Sequence, residues 1–375
     1  MRRWTRRAGT AALTGALAAS ALVAGPAEVA EARPGYRFTT VVSGLSIPWD
    51  LTWVGGLMVF NQRSGGIWTK RTGAAPRRLQ IDLPAPYVNG EGGLLGMVAH
   101  PKAATNKLFY TCSTTRGARD VRVLRWRLTS DTRAVRVGAP VVKGIPLTSG
   151  RHTGCRLRFS AKGMLYIGTG DAADERNPQR RSSLGGKVLR VHADGTIPRT
   201  NPFYALGGNA RYVWNYGHRN IQGLALRPGT NRLFTAEHGP DTDDEVNLVY
   251  RKANYGWAPG PGYDEARPMT DRVRFPRAVR ATWSSGRPTV ATSGITFLNG
   301  PAWQDWNGAL AVAQLKGTGI RLLFLDRDGR VTGQQMMPGT TVYGRIRTVQ
   351  RGPGGALYFT TSNGSGDRIV KVTPG

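Results

Sequence analysis

The sequence predicts an all-β protein, a six-bladed β-propeller built from four-stranded antiparallel blades. A short apolar run, a Gly/Pro/Asn turn and a second run that opens with leucine recur six times. One such hairpin cannot bury its apolar face alone, so repeats made only of strands and turns are expected to pack as blades. No segment keeps a helical period, which favours this fold over alternating strands and helices. The second-run leucines are Leu57, Leu108, Leu165, Leu233, Leu310 and Leu357.

Several of these hairpins are followed by a further apolar run, which we predict to be the next strand of the same blade. These runs are VRVLRWRL from position 121, GKVLRVHADG from 186, IRLLFLDRDG from 320 and DRIVKVTP from 367. Residues 36–42 also have strand character, and pairing them with residues 367–373 would close the ring and remove its exposed edges. Insertions lengthen the third and fourth repeats, notably at 172–183, 198–211 and 263–288. A seven-bladed propeller and a two-sheet sandwich remain as alternatives.

The first 32 residues have the pattern of a secretory signal peptide. Four arginines within residues 1–7 precede an apolar stretch at 8–25, and Ala30-Glu31-Ala32 supplies the small residues of a cleavage site. A retained membrane anchor is the weaker alternative, because Gly and Thr interrupt the segment. No later stretch approaches the roughly 20 apolar residues of a membrane span. We therefore expect residues 33–375 to form one propeller domain that works outside the cytoplasm.

The composition is strongly basic. There are 52 Lys and Arg residues against 23 Asp and Glu, which gives a formal net charge of +29 at pH 7. Such a field attracts anions, including nucleic acids and acidic polymers. The positive residues are spread along the chain, however, and no basic tail, basic helix or RNA-binding aromatic motif concentrates them. We therefore expect no nucleic-acid partner.

The two cysteines of the chain, Cys112 and Cys155, form an even pair in a compartment that permits oxidation. Cys112 is expected near the end of one strand and Cys155 near the start of the next hairpin. Both positions fall on the same face of adjacent blades, where a Cα separation of about 4.4 to 6.8 Å can be reached. A disulfide is the prediction, with two buried unpaired thiols as the alternative.

Polar residues from several repeats share one position relative to the leucines. In an antiparallel hairpin, the start of the first strand and the end of the second lie together, opposite the turn. Such residues should therefore converge on one face around the propeller axis, the usual ligand position of this architecture. They are Glu91, His152, Asp171, Arg219, His238, Lys316, Arg345 and Arg347.

The chemistry of these residue types suggests a function. A neutral imidazole near pH 7 is a natural base for an alcohol, although a histidine in a loop can also simply hydrogen-bond. Several cations near one axis imply a polyanionic ligand, whereas a single arginine at a strand end is usually a solvated charge. The segment EHGPDTDDEVNLVYRKANYGW from position 237 offers carboxylates and free carbonyls. Hard oxygen ligands suit calcium, but an ordinary acidic turn is equally compatible with this composition.

Eight motifs, in order, resemble the secreted glucose/sorbosone dehydrogenase family. They are GEGGLLGMVAHP, HTGCRLRFSAKGMLYIGTGDA, SLGGKVLRVHADGTIPRTNPF, YGHRNIQGLAL, EHGPDTDDEVN, ANYGW, LKG and GRIR. The similarity runs from about Leu45 to the C-terminus. The family includes soluble aldose dehydrogenases that use pyrroloquinoline quinone, and its six-bladed fold agrees with the repeat count.

The resemblance implies a role for each matching residue. His152 would be the general base, while Gly239 and Pro240 would hold the calcium of the cofactor through their carbonyls. Glu245 and Tyr255 match positions associated with a second calcium. The residues matching cofactor contacts are Glu91, Arg219, Asn220, Lys316, Arg345 and Arg347.

The implied reaction is the oxidation of an aldose. His152 would remove the proton of the anomeric hydroxyl while hydride passes from the same carbon to the quinone. Calcium and the arginines, Arg219 among them, would stabilise the negative charge that develops. The product would be a lactone, and an external electron acceptor would reoxidise the cofactor.

Three residues depart from the family pattern. Glu91 stands where the characterised enzymes have a glutamine, and its carboxylate would repel the three carboxylates of the cofactor unless protonated or bound to calcium. Cys155 replaces a glycine, and Arg287 stands where some members have a tryptophan against the quinone. Two other functions stay open: a propeller that binds anionic ligands or acidic glycans without turnover, and a propeller hydrolase such as a calcium lactonase.

Overall fold

Six antiparallel sheets surround a central axis in the computed structural model, which describes residues 35–374. Five sheets have four strands and one has five, which confirms the predicted six-bladed propeller. The predicted signal peptide, residues 1–32, lies outside the described residues. Within residues 35–374, none of the helices has the length and apolar character needed to cross a membrane.

The blades are numbered along the chain. Blade 1 consists of β2 (Pro48–Val54), β3 (Leu57–Gln62), β4 (Ile67–Lys70) and β5 (Arg77–Arg78). Blade 2 consists of β6 (Leu94–Ala99), β7 (Leu108–Thr115), β8 (Asp120–Ser130), β9 (Arg133–Arg136) and β10 (Val142–Ile145). Blade 3 consists of β11 (Gly154–Phe159), β12 (Leu165–Thr169), β13 (Lys187–Val191) and β14 (Val213–Tyr216). Blade 4 consists of β15 (Ile221–Leu226), β16 (Leu233–Glu237), β17 (Glu245–Leu248) and β18 (Trp283–Ser284). Blade 5 consists of β19 (Thr292–Phe297), β20 (Leu310–Gln314), β21 (Ile320–Leu325) and β22 (Val331–Met336). Blade 6 consists of β23 (Ile346–Arg351), β24 (Leu357–Thr361), β25 (Asp367–Pro374) and the first strand of the chain, β1 (Tyr36–Leu45).

Within residues 35–374, helical structure is confined to short connections. They are α1 (Ala103–Asn106) and the 3-10 turns Tyr204–Leu206, Gly208–Tyr212, Pro301–Trp306, Thr341–Tyr343 and Pro353–Gly355.

Each of the six predicted leucines is the first residue of the second strand of its blade. The four apolar runs predicted to follow are β8, β13, β21 and β25, the third strands of their blades. The repeat in the sequence is therefore the inner hairpin of a blade.

The first and last described strands close the ring. β1 pairs with β25 in antiparallel register, with Tyr36 opposite Pro374 and Thr40 opposite Val370. The pairing continues to Leu45, slightly beyond the predicted strand. The predicted closure is thus confirmed, and neither strand presents an open edge at this junction.

The first strand of each blade lies closest to the axis and packs against its counterparts in the neighbouring blades. Two glycines permit this close approach. A Cβ on Gly96 of β6 would lie 2.3 Å from the carbonyl oxygen of Cys155, and one on Gly223 of β15 would lie 2.4 Å from that of Ser293. Only glycine allows the backbones to come this near.

Apolar side chains fill the spaces between adjacent blades. The largest cluster joins blades 2 and 3 through residues such as Tyr110, Leu157 and Leu189. The disulfide between Cys112 and Cys155 lies within it, with a Cα separation of 6.0 Å. The predicted disulfide is confirmed, and it fixes the start of β11, directly after His152.

Candidate functional site

The site lies on the face of the propeller where inner strands begin and second strands end. His152 precedes β11 by two residues and Asp171 follows β12 by two. Arg219 precedes β15 by two residues, while His238 directly follows β16. The structure therefore brings residues from separate repeats to one end of the axis, as the hairpin geometry predicts.

His152 is buried, and its Nδ1 is held in place from two sides. Nδ1 lies 3.0 Å from Asp171 Oδ1 and 2.8 Å from the Tyr263 hydroxyl. That hydroxyl donates to Asp171 Oδ2 at 2.6 Å, so its proton is already used. Nδ1 must then carry the imidazole proton, which leaves Nε2 as an acceptor. Among the described residues, Nε2 makes no hydrogen bond, and His152 therefore has the tautomer of a general base.

Asp171 is itself fixed by its surroundings. Trp257 Nε1 donates to Oδ2 at 2.8 Å, and the backbone N–H of Ala173 donates to Oδ1 at 2.8 Å. Burial and the Asp171 carboxylate together raise the pKa of Tyr263, so that its hydroxyl stays protonated. Gly170 permits the close contact between the strands: a Cβ there would lie 1.9 Å from the carbonyl oxygen of His152. The GTGDA motif thus positions the partner of the base.

Glu91 lies among cations and amides. Its Oε2 accepts hydrogen bonds from Asn220 Nδ2 at 2.8 Å and Gln222 Nε2 at 3.1 Å. Burial alone would raise the pKa of Glu91, but the neighbouring His152 and His238 rings, the Asn220 hydrogen bond and the charge of Arg347 lower it below its usual value. Glu91 is therefore an ionised carboxylate, and its charge is offset by the site around it.

Arg219 is engaged by a carboxylate of the chain itself. Its Nε and Nη2 donate to Glu265 Oε1 at 2.9 and 2.5 Å, and Nη1 donates to the carbonyl oxygen of His238 at 3.0 Å. Glu265 also pairs with Arg151. Burial alone would raise the pKa of Glu265, but these two arginines lower it. The groups of Arg219 that could bind a ligand carboxylate are thus already occupied.

The other predicted cations differ in their exposure. Arg347 donates through Nη1 to Gln222 Oε1 at 3.2 Å, while its Nε is buried without a partner. Burial lowers the pKa of Arg347 to about 9. Arg345 and Lys316 are exposed at the rim; Arg345 Nε donates to the carbonyl oxygen of Ser362 at 3.1 Å. The side chain of Lys316 makes no hydrogen bond within residues 35–374.

The predicted calcium ligands fall into two groups. The carbonyls of Gly239 and Pro240 accept no hydrogen bond from the described residues, and Asp244 Oδ1 accepts from the Gly239 N–H at 2.9 Å. Burial and the Glu237 carboxylate raise the pKa of Glu245 to about 8. The Tyr255 hydroxyl is already bonded, because it donates to the carbonyl oxygen of Leu248 at 2.6 Å. Residues 35–374 contain no group of three or more His, Cys, Asp or Glu side chains arranged to hold a metal.

Four residues of the site were not predicted from the sequence. Three of them, Trp257, Tyr263 and Glu265, belong to the long connection between β17 and β18, residues 249–282, which we call the blade 4 loop. The sequence marked part of this segment as an insertion, but no repeat or spacing showed where its side chains would point. The fourth, Gln222, lies on β15 and links Glu91 to Arg347. Arg287, by contrast, is exposed.

Comparisons with known proteins identify the family. The family model described as Glucose / Sorbosone dehydrogenase matches residues 45–371. Aldose sugar dehydrogenase YliI of Escherichia coli is 30% identical over 369 aligned residues, covering 95% of both chains. The PQQ-bound aldose sugar dehydrogenase of Streptomyces coelicolor is 31% identical with a TM-score of 0.75, covering 93% of this chain and 98% of that one. The apo soluble aldose sugar dehydrogenase of Escherichia coli has a TM-score of 0.81 at 27% identity, covering 91% and 100%. The resemblance inferred from the motifs is confirmed, and the chain belongs to the glucose/sorbosone dehydrogenase family.

Proposed function

We propose that this protein is an aldose dehydrogenase that uses pyrroloquinoline quinone and oxidises the anomeric carbon of a sugar to a lactone. The observation that carries the proposal is the state of His152. Asp171 and Tyr263 fix the proton on Nδ1, so Nε2 is free to accept one, and Arg219 and Arg347 belong to the same site. A positioned base next to an anion site is what sugar oxidation by an anionic cofactor needs.

The residues of the pocket fit a polycarboxylate cofactor. Arg347 Nε and His238 Nε2 are buried and have no hydrogen-bond partner within residues 35–374. Unpaired buried polar atoms are costly, so both are suited to receive ligand atoms. The groups that would hold the cofactor are those of Lys316, Arg345 and Arg347, together with Arg219 and Asn220 once their contacts with Glu265 and Glu91 are displaced. Glu91 lies at the edge.

When bound, the quinone would supply the electrophilic carbon that accepts hydride from the sugar. The chain would move the proton: His152 Nε2 takes it from the anomeric hydroxyl, and the Asp171 carboxylate stabilises the resulting imidazolium. Tyr263 and Trp257 keep Asp171 aligned through their hydrogen bonds. Arg219 would add positive charge where negative charge develops.

Calcium is part of the proposal. The free carbonyls of Gly239 and Pro240 are hard oxygen donors next to His238, and would hold the calcium that accompanies the cofactor. Glu245 would serve a second ion, which would also offset the repulsion between its carboxylate and that of Glu237. Tyr255 could bind this ion only while its hydroxyl also donates to the carbonyl oxygen of Leu248.

We further propose that the protein works outside the cytoplasm and passes its electrons to an external acceptor. The disulfide between Cys112 and Cys155 supports this location, since such bonds persist mainly in oxidising compartments. The leader-like pattern of residues 1–32 points the same way.

Replacing His152 by Ala tests the assignment of the base. In protein loaded with cofactor and calcium, this variant should reduce an artificial dye with an aldose at a kcat about 10² to 10⁴ lower than the wild type. Cofactor content should stay the same, because His152 is proposed to act on the sugar. His192→Ala, a histidine outside the site, is the matched control. Equal turnover in wild type and His152→Ala would show that His152 is not the base.

A binding propeller without turnover is the second candidate, and one observation favours it. Two of the proposed cofactor-binding residues are occupied by carboxylates of the chain: Glu265 binds Arg219, and Glu91 binds Asn220. If these contacts cannot be displaced, the wild-type protein will hold no quinone at any calcium concentration. Quinone retained through gel filtration would exclude this candidate.

A further inference from the structure

The far end of the propeller axis carries a second cluster of arginines. β11 places Arg156 and Arg158 two residues apart on the same side of an inner strand, and β23 contributes Arg347 and Arg351. Arg347 lies at the end of the axis that carries the proposed sugar site. Arg158 and Arg351 lie near the turns between first and second strands, at the opposite face.

The two arginines nearer the site have carboxylate partners. Arg156 Nη1 lies 3.0 Å from Asp50 Oδ2, and its guanidinium stacks 4.2 Å from the centre of the Trp49 ring. It also donates to the carbonyl oxygen of Gln222 at 2.8 Å. Arg347 is attracted by Glu91. The charges of these two arginines are therefore offset by carboxylates of the chain.

The far end has no such balance. A cavity of about 720 Å³ opens there between the turns of blades 3, 4 and 5 and the end of β23. Four basic residues line it, Arg158, Lys162, Arg227 and Arg351, and none of its lining residues is acidic. We call this cavity the far-face pocket. Phe159, Leu226 and Phe297 form the apolar part of the wall of this pocket.

None of the four basic residues of the far-face pocket forms an ion pair with a carboxylate of residues 35–374. Arg158 donates through Nε to the carbonyl oxygen of Leu224 at 3.2 Å and through Nη2 to Gln350 Oε1 at 3.4 Å, both neutral acceptors. Burial lowers the pKa of Arg158 to about 10; Asp50 opposes this shift, and Arg156 and Arg351 add to it. Arg227 binds the backbone carbonyls of Leu325 and Asp326. The side chains of Lys162 and Arg351 make no hydrogen bond within residues 35–374.

We propose that the far-face pocket binds a small anion carrying at least two phosphate or carboxylate groups. Cations drawn from separate blades repel one another unless a ligand offsets their charge, and guanidinium groups suit both kinds of oxyanion. One anionic group would bind Arg158 and Arg351 and the second would bind Lys162, because the carbonyls of Leu325 and Asp326 already hold the Arg227 guanidinium. The ligand would bridge blades 3 and 6. This site is separate from the proposed cofactor site, so the proposal does not depend on the dehydrogenase activity.

Titration calorimetry of the mature protein without added cofactor tests the proposal, with pyrophosphate and citrate as the two probes at physiological ionic strength. We expect saturable binding of one molecule per chain for at least one probe, and the preferred probe distinguishes a phosphorylated from a polycarboxylate ligand. The double variant Arg158→Gln and Arg351→Gln should weaken binding about tenfold or more. Arg77→Gln with Arg127→Gln is the matched control, since it removes the same charge from exposed positions. His152→Ala should bind as the wild type does.

Two results would overturn the proposal. Neither probe binding at millimolar concentration would exclude the site. Equal weakening by the pocket variant and the control variant would show only a general effect of the basic surface. If the Arg158 variant fails to fold, Lys162→Gln with Arg351→Gln replaces it, because both side chains are exposed and the same weakening is expected.

Discussion

At the scale of single residues, the catalytic proposal depends on one proton. The Tyr263 hydroxyl donates to Asp171, and this places the imidazole proton of His152 on Nδ1. Whether His152 can accept a proton at Nε2 therefore depends on Asp171 as well as on the imidazole itself. The sequence predicted both His152 and Asp171 to lie at this end of the axis, because strand ends recur at regular distances from the six leucines. It could not predict Tyr263, which reaches the site from an irregular loop.

Asp171→Asn should abolish most of the activity without loss of fold. An amide at this position can donate to Nδ1 and thereby move the imidazole proton to Nε2, where it blocks proton acceptance. We expect kcat to fall by about 10² to 10⁴ in cofactor-loaded protein. Asp174→Asn, the same change three residues later, should keep wild-type turnover. A steady-state assay in which both variants match the wild type would rule out this role for Asp171.

Glu91→Gln should change cofactor affinity and stability in opposite directions. The carboxylate is ionised and lies near Arg347, so its removal leaves more positive charge for a polycarboxylate ligand and should tighten quinone binding. The same change weakens the hydrogen bonds from Asn220 and Gln222, which should cost about 1 to 2 kcal/mol of unfolding free energy. Absorbance titration with the quinone and urea unfolding measure the two effects. Weaker quinone binding in the variant would mean that Glu91 helps to hold the cofactor.

At the scale of elements, the repeat was predictable and the blade 4 loop was not. The leucine at the start of each second strand follows from local features, a tight turn and alternating burial, which one sequence shows well. Residues 249–282 contain only short bridges, and tertiary contacts set their path. This loop nevertheless brings Trp257, Tyr263 and Glu265 to the site. Site residues on strand ends were thus predictable, and those on the loop required the structure.

Glu265→Gln tests whether the blade 4 loop competes with the cofactor. The Glu265 carboxylate occupies Nε and Nη2 of Arg219, and the lowered pKa of Glu265 keeps it ionised at neutral pH. Removing this charge should lower the Kd for the quinone, by about tenfold if one charge-assisted contact is released. Quenching of tryptophan fluorescence measures the binding, with Asp82→Asn, which removes an exposed carboxylate outside the blade 4 loop, as control. Unchanged or weaker binding would show that Glu265 does not compete for Arg219.

At the scale of the whole molecule, the ring is held by pairing between its two ends and by a covalent link between blades. β1 and β25 close blade 6, and the disulfide joins blade 2 to blade 3. Both features were predicted: the closure because an open ring would expose two strand edges, and the disulfide because the two cysteines fall at nearby positions of adjacent blades. Arg219, Arg345 and Arg347 were predicted to converge on the axis, but Arg156, Arg158 and Arg351 were not, because their positions depend on the packing of the inner strands.

Deleting residues 33–43 should abolish cooperative unfolding. The deletion removes most of β1 and leaves β25 as an exposed edge in an open ring. Thermal unfolding followed by circular dichroism should then show a broad transition or none. Deleting residues 33–34 alone should leave the transition as in the mature protein. A sharp and unshifted transition in the longer deletion would contradict the role of this closure.

The most direct test of the central claim is the reconstitution of the mature wild-type protein with pyrroloquinoline quinone and calcium, followed by gel filtration. We predict that quinone absorbance elutes with the protein, that an aldose then reduces the bound quinone and an added dye, and that calcium chelation releases the cofactor. Protein that elutes without quinone absorbance, and that reduces no dye with any member of a panel of aldoses, would contradict the proposed dehydrogenase.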